Sequence, residues 1–148
     1  MNINLEKDFA ASEESHEAYN TADKNDDING IEKARADYDT WRAGVMANGR
    51  TYTKIYNYYE NARTVGNKYI DIHDTINDDE IKDLVAEMRA LGIDHFTFSS
   101  GWTKAVETAW LFQQNGCSVD GIVEVNTRYK AFMSTEWEKA HGFLFKVN

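Results

Sequence analysis

The chain has 148 residues, enough for one domain or one domain with a helical appendage, and carries a formal charge of −9. Apolar residues at 42% and aromatics at 13% exclude the polar, aromatic-poor composition of disordered chains, and the acidic balance argues against nonspecific attachment to nucleic acid or anionic lipid. A lone cysteine, Cys117, excludes an intramolecular disulfide and sets a reducing, cytoplasmic location as the expectation; the opening "MNINLEKDF" lacks an export signal and no stretch reaches membrane-spanning length.

The charge comes in blocks. Residues 1–39 hold eleven acids against four bases, residues 40–68 one acid against five bases, and the remainder is acidic again. Proline is absent, although average usage gives about seven in a chain this long. Turns must then rest on Gly, Asn, Asp and Ser.

The first 66 residues read as helices. Leu5, Phe9, Ser12, His16 and Tyr19 share one mixed face. After the polar break "ADKNDDING", Ile31, Ala34, Tyr38, Trp41 and Val45 form a cleaner stripe, and Asn48-Gly49 supplies its C-cap. Tyr52, Ile55, Tyr59 and Ala62 repeat the spacing before Gly66-Asn67 ends a third helix.

From residue 69 the period changes. "YIDIH" alternates as a short strand. The helix in "NDDEIKDLVAEMRALG" has Asn77 and Glu80 as a capping box, Ile81, Leu84, Val85, Met88 and Leu91 as its core face, and Gly92 as its stop. Then follow a strand in "IDHFTFS", a helix over residues 101–115 ended by Gly116, a strand near "GIVEVNTRY", a short helix in "STEWEKAH" and a last strand, "GFLFKV". Strands alternating with helices imply βαβ units, parallel pairing and an antiparallel final strand. The expected fold is α/β (α+β), with a helical segment over residues 1–68 packed on a small mixed sheet over residues 69–148 as one compact unit.

Four stretches invite a functional reading. In "DHFTFSSGWTKA" a P-loop fails on spacing: with Gly101 as second glycine, Phe96 stands at the first, Trp102 at the lysine, and Lys104 follows Thr103. The default is a helix N-cap by Ser99 or Ser100. A generic anion site at Ser99, Ser100, Gly101 and Lys104 remains, because a strand-to-helix turn offers free N–H groups at the strand's carboxyl end. "DKNDDING" spaces Asp23, Asn25 and Asp27 like the first calcium ligands of an EF-hand, but Ala34 or Ala36 falls where the bidentate glutamate belongs. It reads instead as an Asx-rich turn capping the second helix.

In "DIHD", Asp71 and His73 project from one face of a strand. With Asp74 and with His95 on the next strand they compose a conceivable metal or general-base site of unspecific spacing. The fourth stretch, "RTYTKIYNYYENARTVGNK", interleaves bases with tyrosines as single-strand binders do. Its tyrosines divide between a core stripe and a surface suited to protein contact. No nucleophile motif is present, and Cys117 sits after a negative helix end that raises a thiol's pKa.

"YYENARTVGNKYIDIHD", "RALGIDHFTFSSGWTKAVETAWLFQQNGCSVDGIVEVN" and the closing "FLFKV" together resemble an uncharacterised family of small acidic α/β proteins from mobile elements of gut Firmicutes, over roughly residues 56–148. The resemblance implies genomic company, since accessory genes of such elements often encode anti-CRISPR or anti-restriction inhibitors; it carries over no site residue. The leading expectation is a non-enzymatic, cofactor-free binding protein whose acidic helices, with Glu13, Glu14, Glu17, Asp26 and Asp27 and with Tyr56 and Tyr58 nearby, engage a protein partner such as a Cas effector or restriction complex. The alternatives are a small metal- or anion-binding enzyme using the Asp71, His73, Asp74 and His95 region, and a structural homodimer joined by a Tyr and Trp surface.

Overall fold

A computed structural model describes residues 3–73 and 76–148. The chain divides into two compact units, Met1–Thr53 and Lys54–Asn148.

The first unit is a helical hairpin followed by the opening turn of a third helix. Helix α1 (Ile3–Lys24) and helix α2 (Ile28–Met46) are joined by a tight turn. At that turn the Asp27 carboxylate accepts the Gly30 N–H at 3.0 Å, so the Asx-rich stretch caps α2 as its composition implies. Asp26 adopts φ 52°, the left-handed region that Asp and Asn tolerate best among residues with a Cβ. The expected α2 stripe forms: Ala34 and Val45 are buried, while Ile31, Tyr38 and Trp41 are half-buried. The α1 face is mixed as its sequence is, since Leu5 and Ser12 are buried and His16 is exposed. At the end of α2 the Asn48 side chain donates to Gly44 O at 3.0 Å and Gly49 N–H to Met46 O at 3.0 Å, closing the helix as anticipated.

The second unit holds most of helix α3 (Arg50–Val65), strand β1 (Ile70–His73), a 3₁₀ turn (Asp78–Glu80), helix α4 (Ile81–Ala90), strand β2 (His95–Ser99), helix α5 (Ala105–Gln114), strand β3 (Cys117–Asn126) and strand β4 (Lys139–Val147). Glu80 accepts the Asn77 N–H at 3.3 Å and also holds the Lys54 ammonium, so the expected capping box is tied to α3 as well. Gly92 and Gly116 close α4 and α5 at φ 71° and 91°, values that a Cβ would strain.

The four strands form one mixed sheet in the order β1-β2-β4-β3. β1 and β2 are parallel, joined through α4 as a βαβ unit; β4 is antiparallel to both β2 and β3. Alternation then sorts the side chains. Ile70, Ile72, Phe96, Phe98, Phe143 and Phe145 share one face. There Phe112 of α5 packs on Phe96 and Phe145 with ring centroids 4.9 and 5.3 Å apart. Asp71, His73, Thr97, Ser99 and Gly142 lie on the other face, where Tyr58 of α3 meets the His73 ring edge-on at 5.7 Å. The backbone of Gly142 passes so close to β2 that a Cβ there would stand 3.0 Å from Phe98 O.

Two sequence expectations are corrected. "STEWEKAH" is not a helix: its first five residues are the far side of a long β3–β4 connection, closed by Thr127 N–H to Glu138 O at 2.7 Å and Glu138 N–H to Tyr129 O at 2.8 Å, and Lys139, Ala140 and His141 open β4. The Glu-rich composition suits a helix, but these cross-chain bonds and a local turn, in which Ser134 Oγ accepts the Glu136 N–H at 3.1 Å, satisfy its backbone differently. The strand near "GIVEVNTRY" begins earlier, at Cys117, directly after α5.

Candidate functional site

β1 and β2 end side by side, and the chain leaves both at the same edge of the sheet. Asp71 is held from β2 by two hydroxyls: Thr97 Oγ1 donates to Asp71 Oδ1 at 2.7 Å and Ser99 Oγ to Oδ2 at 2.8 Å. The parallel register that pairs Asp71 with Thr97 and His73 with Ser99 makes this possible. His73 Nδ1 stands 3.4 Å from the Asp71 carbonyl oxygen and 3.9 Å from Oδ2. The imidazole thus faces both the backbone carbonyl and the carboxylate of Asp71.

Asp71, His73 and Ser99 line a cavity of about 280 Å³. Its wall on α3 is Tyr58, Asn61, Ala62 and Val65; its floor includes Asp71, His73 and Ser99; the Ser100-Gly101 turn closes one end. The outer rim comes from the end of β3, the β3–β4 connection and β4, with Asn126, Arg128, Tyr129, Ala140 and His141. Asn67 clamps that rim to the end of α3: its Oδ1 accepts Asn126 N–H at 2.8 Å and its Nδ2 donates to Asn126 O at 2.9 Å, while Asn126 Nδ2 donates to Val65 O at 2.9 Å. Arg128 Nη1 donates to Asn61 Oδ1 at 3.2 Å, which sets the guanidinium over the mouth.

The sites anticipated from sequence are regrouped by this geometry. Ser99, Ser100 and Gly101 share the cavity with Asp71 and His73. Lys104 does not: it lines an adjacent cavity of about 420 Å³ with Asn77, Asp78, Trp102 and Thr108, which meets the first at Ser100. Neither serine caps α5. Ser99 turns inward to Asp71, Ser100 Oγ accepts the Trp102 N–H at 3.1 Å, and the helix begins only at Ala105.

His95 is removed from the anticipated metal group. It starts β2, four residues from Ser99 and so about 13 Å along the strand from His73. Its Nδ1 lies 3.2 Å from Asp94, a hydrogen bond that holds the Asp94 carboxyl below its ordinary range, and its Nε2 lies 3.5 Å from Asp120. Asp74 lies outside the described residues. Among those described, no group of three or more His, Cys, Asp or Glu side chains is placed to hold a metal ion.

The tyrosine-rich helix is interior where a partner surface was expected. Tyr52, Tyr56, Tyr58 and Tyr59 are all buried, so Tyr56 and Tyr58 are withdrawn from partner contact by their place in the fold. The large exposed aromatics among the described residues are Trp102 before α5, Trp110 on α5, and Tyr129 and Phe132 on the β3–β4 connection. Glu13, Glu14, Glu17, Asp26 and Asp27 are exposed on the hairpin. Cys117 is buried at the start of β3, and burial, not the neighbouring helix end, pushes its thiol up to about 11 against the opposing charge of Arg89.

Sequence reasoning singled out none of Asn61, Asn126, Arg128 and His141, which line the cavity. The one available signal was Asn126-Thr127-Arg128 at the end of an expected strand, where polar residues meet a cavity edge.

The fold and cavity together define a small mixed α/β domain with a ligand-sized pocket at the carboxyl ends of its parallel pair. By sequence, residues 54–147 match the family model of the domain of unknown function (DUF7698), and the chain belongs to that family. The matched span coincides with the second unit, Lys54–Asn148, to within one residue. No curated protein and no solved structure matches the chain.

Proposed function

We propose that the second unit binds a small polar molecule in the cavity built on Asp71, His73, Ser99 and the Ser100-Gly101 turn. The supporting observation is convergence: polar groups from α3, β1, β2, the β3–β4 connection and β4 meet in one concave site. Ligand sites of α/β folds lie beyond the carboxyl ends of the strands, and apolar walls with a few oriented polar groups are their usual make-up. Within this reading His73, oriented by Asp71, is the group placed to move a proton. Ser99 serves to hold Asp71, its hydroxyl donating to the carboxylate.

Titration of the full chain with a set of small carboxylates, amines, sugars and nucleosides, followed by thermal unfolding, tests it. A ligand at a hundred times its Kd stabilises the fold by about 2.7 kcal/mol, and Ala140→Phe, which fills the cavity from β4, should abolish that shift. Equal shifts in the filled variant, or none for any compound with the native chain, would sink the reading.

A second reading concerns the first unit and is supported by its exposed carboxylates, Glu13, Glu14 and Glu17 on α1 and Asp26 at the turn. We propose that this face engages a basic, nucleic-acid-handling surface of a host defence complex, Cas effector or restriction type, in the reducing cytoplasm. The resemblance to proteins of mobile elements of gut Firmicutes supports it through genomic company. Capture of such a purified complex should weaken as salt rises and be lost when Glu13, Glu14 and Glu17 are together changed to Lys. No capture at low salt overturns it.

A further inference from the structure

We infer that the end of the second unit at the carboxyl ends of β1 and β2 is a dimer surface, covered by the same end of a second copy of this chain about a two-fold axis. The inference rests on exposure and charge and is independent of any ligand in the cavity.

Large apolar side chains gather in the open at this end. The β3–β4 connection leaves the sheet here, because β4 runs antiparallel to β2 and opens beside its carboxyl end. It presents Tyr129, Phe132 and Met133 at 69%, 95% and 89% exposure. The turn before α5 and the first turn of that helix add Trp102 at 64% and Val106 at 74%. Apolar surface of this extent on one end of a domain marks a contact site. At these exposures the five side chains present roughly 800 Å², the share that each partner brings to a standard-size protein interface.

The connection is built to hold its tip outward. Thr127 and Tyr129 are bonded to Glu138 across its base, and the Lys130 ammonium lies 4.3 Å from the centre of the Trp137 ring. At the tip the Ser134 N–H donates to Ala131 O at 2.9 Å, which closes a turn with Phe132 and Met133 at its corners. Met133 takes φ 63°, where glycine or asparagine fits more cheaply and a long side chain is an outlier. Strain kept at a surface turn points to a use for the side chain it displays. An anchor fixed in advance also loses less freedom on binding.

Charge selects the occupant. The exposed bases at this end are Lys104, Arg128 and Lys130. The exposed acids are Asp78, Asp79, Glu136 and Glu138. A nucleic acid or an anionic bilayer would meet those acids, and a strongly acidic or basic protein would meet like charges. A two-fold axis sets the mixed surface against itself, so acids of one copy can stand opposite bases of the other, and the pair closes without further growth. Tyr129 also lines the cavity, so the contact borders its mouth.

Sedimentation equilibrium of the full chain tests the inference. Standard-size interfaces hold in the micromolar range or tighter, so at about 100 μM the 17.0 kDa chain should sediment as a dimer. Phe132→Ser combined with Met133→Ser alters two side chains that solvent already surrounds. It should raise the dissociation constant at least about thirtyfold and leave the urea unfolding of the diluted monomer unchanged. Met133→Gly suits the backbone of the turn, so it should weaken the dimer with the fold intact. Ile122→Ser, exposed in the middle of β3, should leave the dimer as it is. A chain that stays monomeric at that concentration overturns the inference. So does a dimer that survives the double variant, or one lost to Ile122→Ser alone, which would put the seam at the sheet edge. A monomer that binds phosphatidylcholine vesicles through Phe132 and Met133 overturns it as well and assigns this end to a bilayer.

Discussion

The two units solve the packing problem with different materials. The hairpin buries small or mixed side chains, Ser12, Ala22, Ala34 and Val45 beside Leu5 and Tyr52, and presents its carboxylates outward. The second unit buries large ones: Phe96, Phe112 and Phe145 are fully enclosed, together with Ile72, Ile81, Leu84 and Met88. The family match covers the second and stops at the first. Stability drawn from apolar area, and a cavity that needs rigid walls, therefore go with the family domain. The hairpin contributes charge and surface.

The largest test of this contrast is Phe112→Ala. Phe112 touches Phe96, Phe98 and Phe145 from the helix side of the sheet, so truncation removes the centre of the aromatic cluster and leaves a void. A loss of about 3–5 kcal/mol in urea unfolding is expected. A loss below 1 kcal/mol, as for a surface change, would show that the cluster is not what holds the second unit.

The contrast also explains what could be read in advance. The α2 stripe, the caps at Asn48-Gly49, Gly92 and Gly116, the helix core face from Ile81 to Leu91 and the strands around Ile72 and Phe96 follow from local periodicity and turn chemistry, which sequence displays directly. The cavity was half legible for the same reason: Asp71, His73, Ser99 and Ser100 stand at the ends of two strands whose parallel pairing a βαβ pattern implies. Its other half was not. Asn61, Arg128 and His141 reach the site through α3, through the β3–β4 connection and through β4, which inserts between β2 and β3, and no local pattern announces that order. Tyr56 and Tyr58 misled for a related reason. A helix lying against a sheet buries a broader face than one stripe, so tyrosines off the stripe are covered as well. His95 is on the correct face at the wrong end, a distinction that only register supplies.

Close approach within the sheet can be probed next. Gly142→Ala places a Cβ 3.0 Å from Phe98 O and 3.3 Å from the Ser99 Cβ. The β2–β4 spacing must widen, at a cost of about 1–3 kcal/mol. Because Ser99 holds Asp71, the same variant should weaken any ligand that the cavity binds. Unchanged stability and unchanged binding together would show that the strand spacing is not what sets the site.

The smallest effect has the opposite sign and falls on the hairpin. Gly44 lies in the interior of α2, exposed, with nothing within 4 Å of where a Cβ would stand. Ala there removes backbone entropy from the unfolded chain without meeting a neighbour, so Gly44→Ala should stabilise by about 0.5–1 kcal/mol, read as a higher urea midpoint at constant slope. A loss of stability would mean that the open space beside Gly44 is occupied in solution, by a second copy or another chain. Paired with Gly142→Ala, it asks one question of both units: whether a single methyl group finds room. The helical hairpin should accept it and the sheet should refuse it, because an exposed helix face has solvent where the sheet has the backbone of its neighbour.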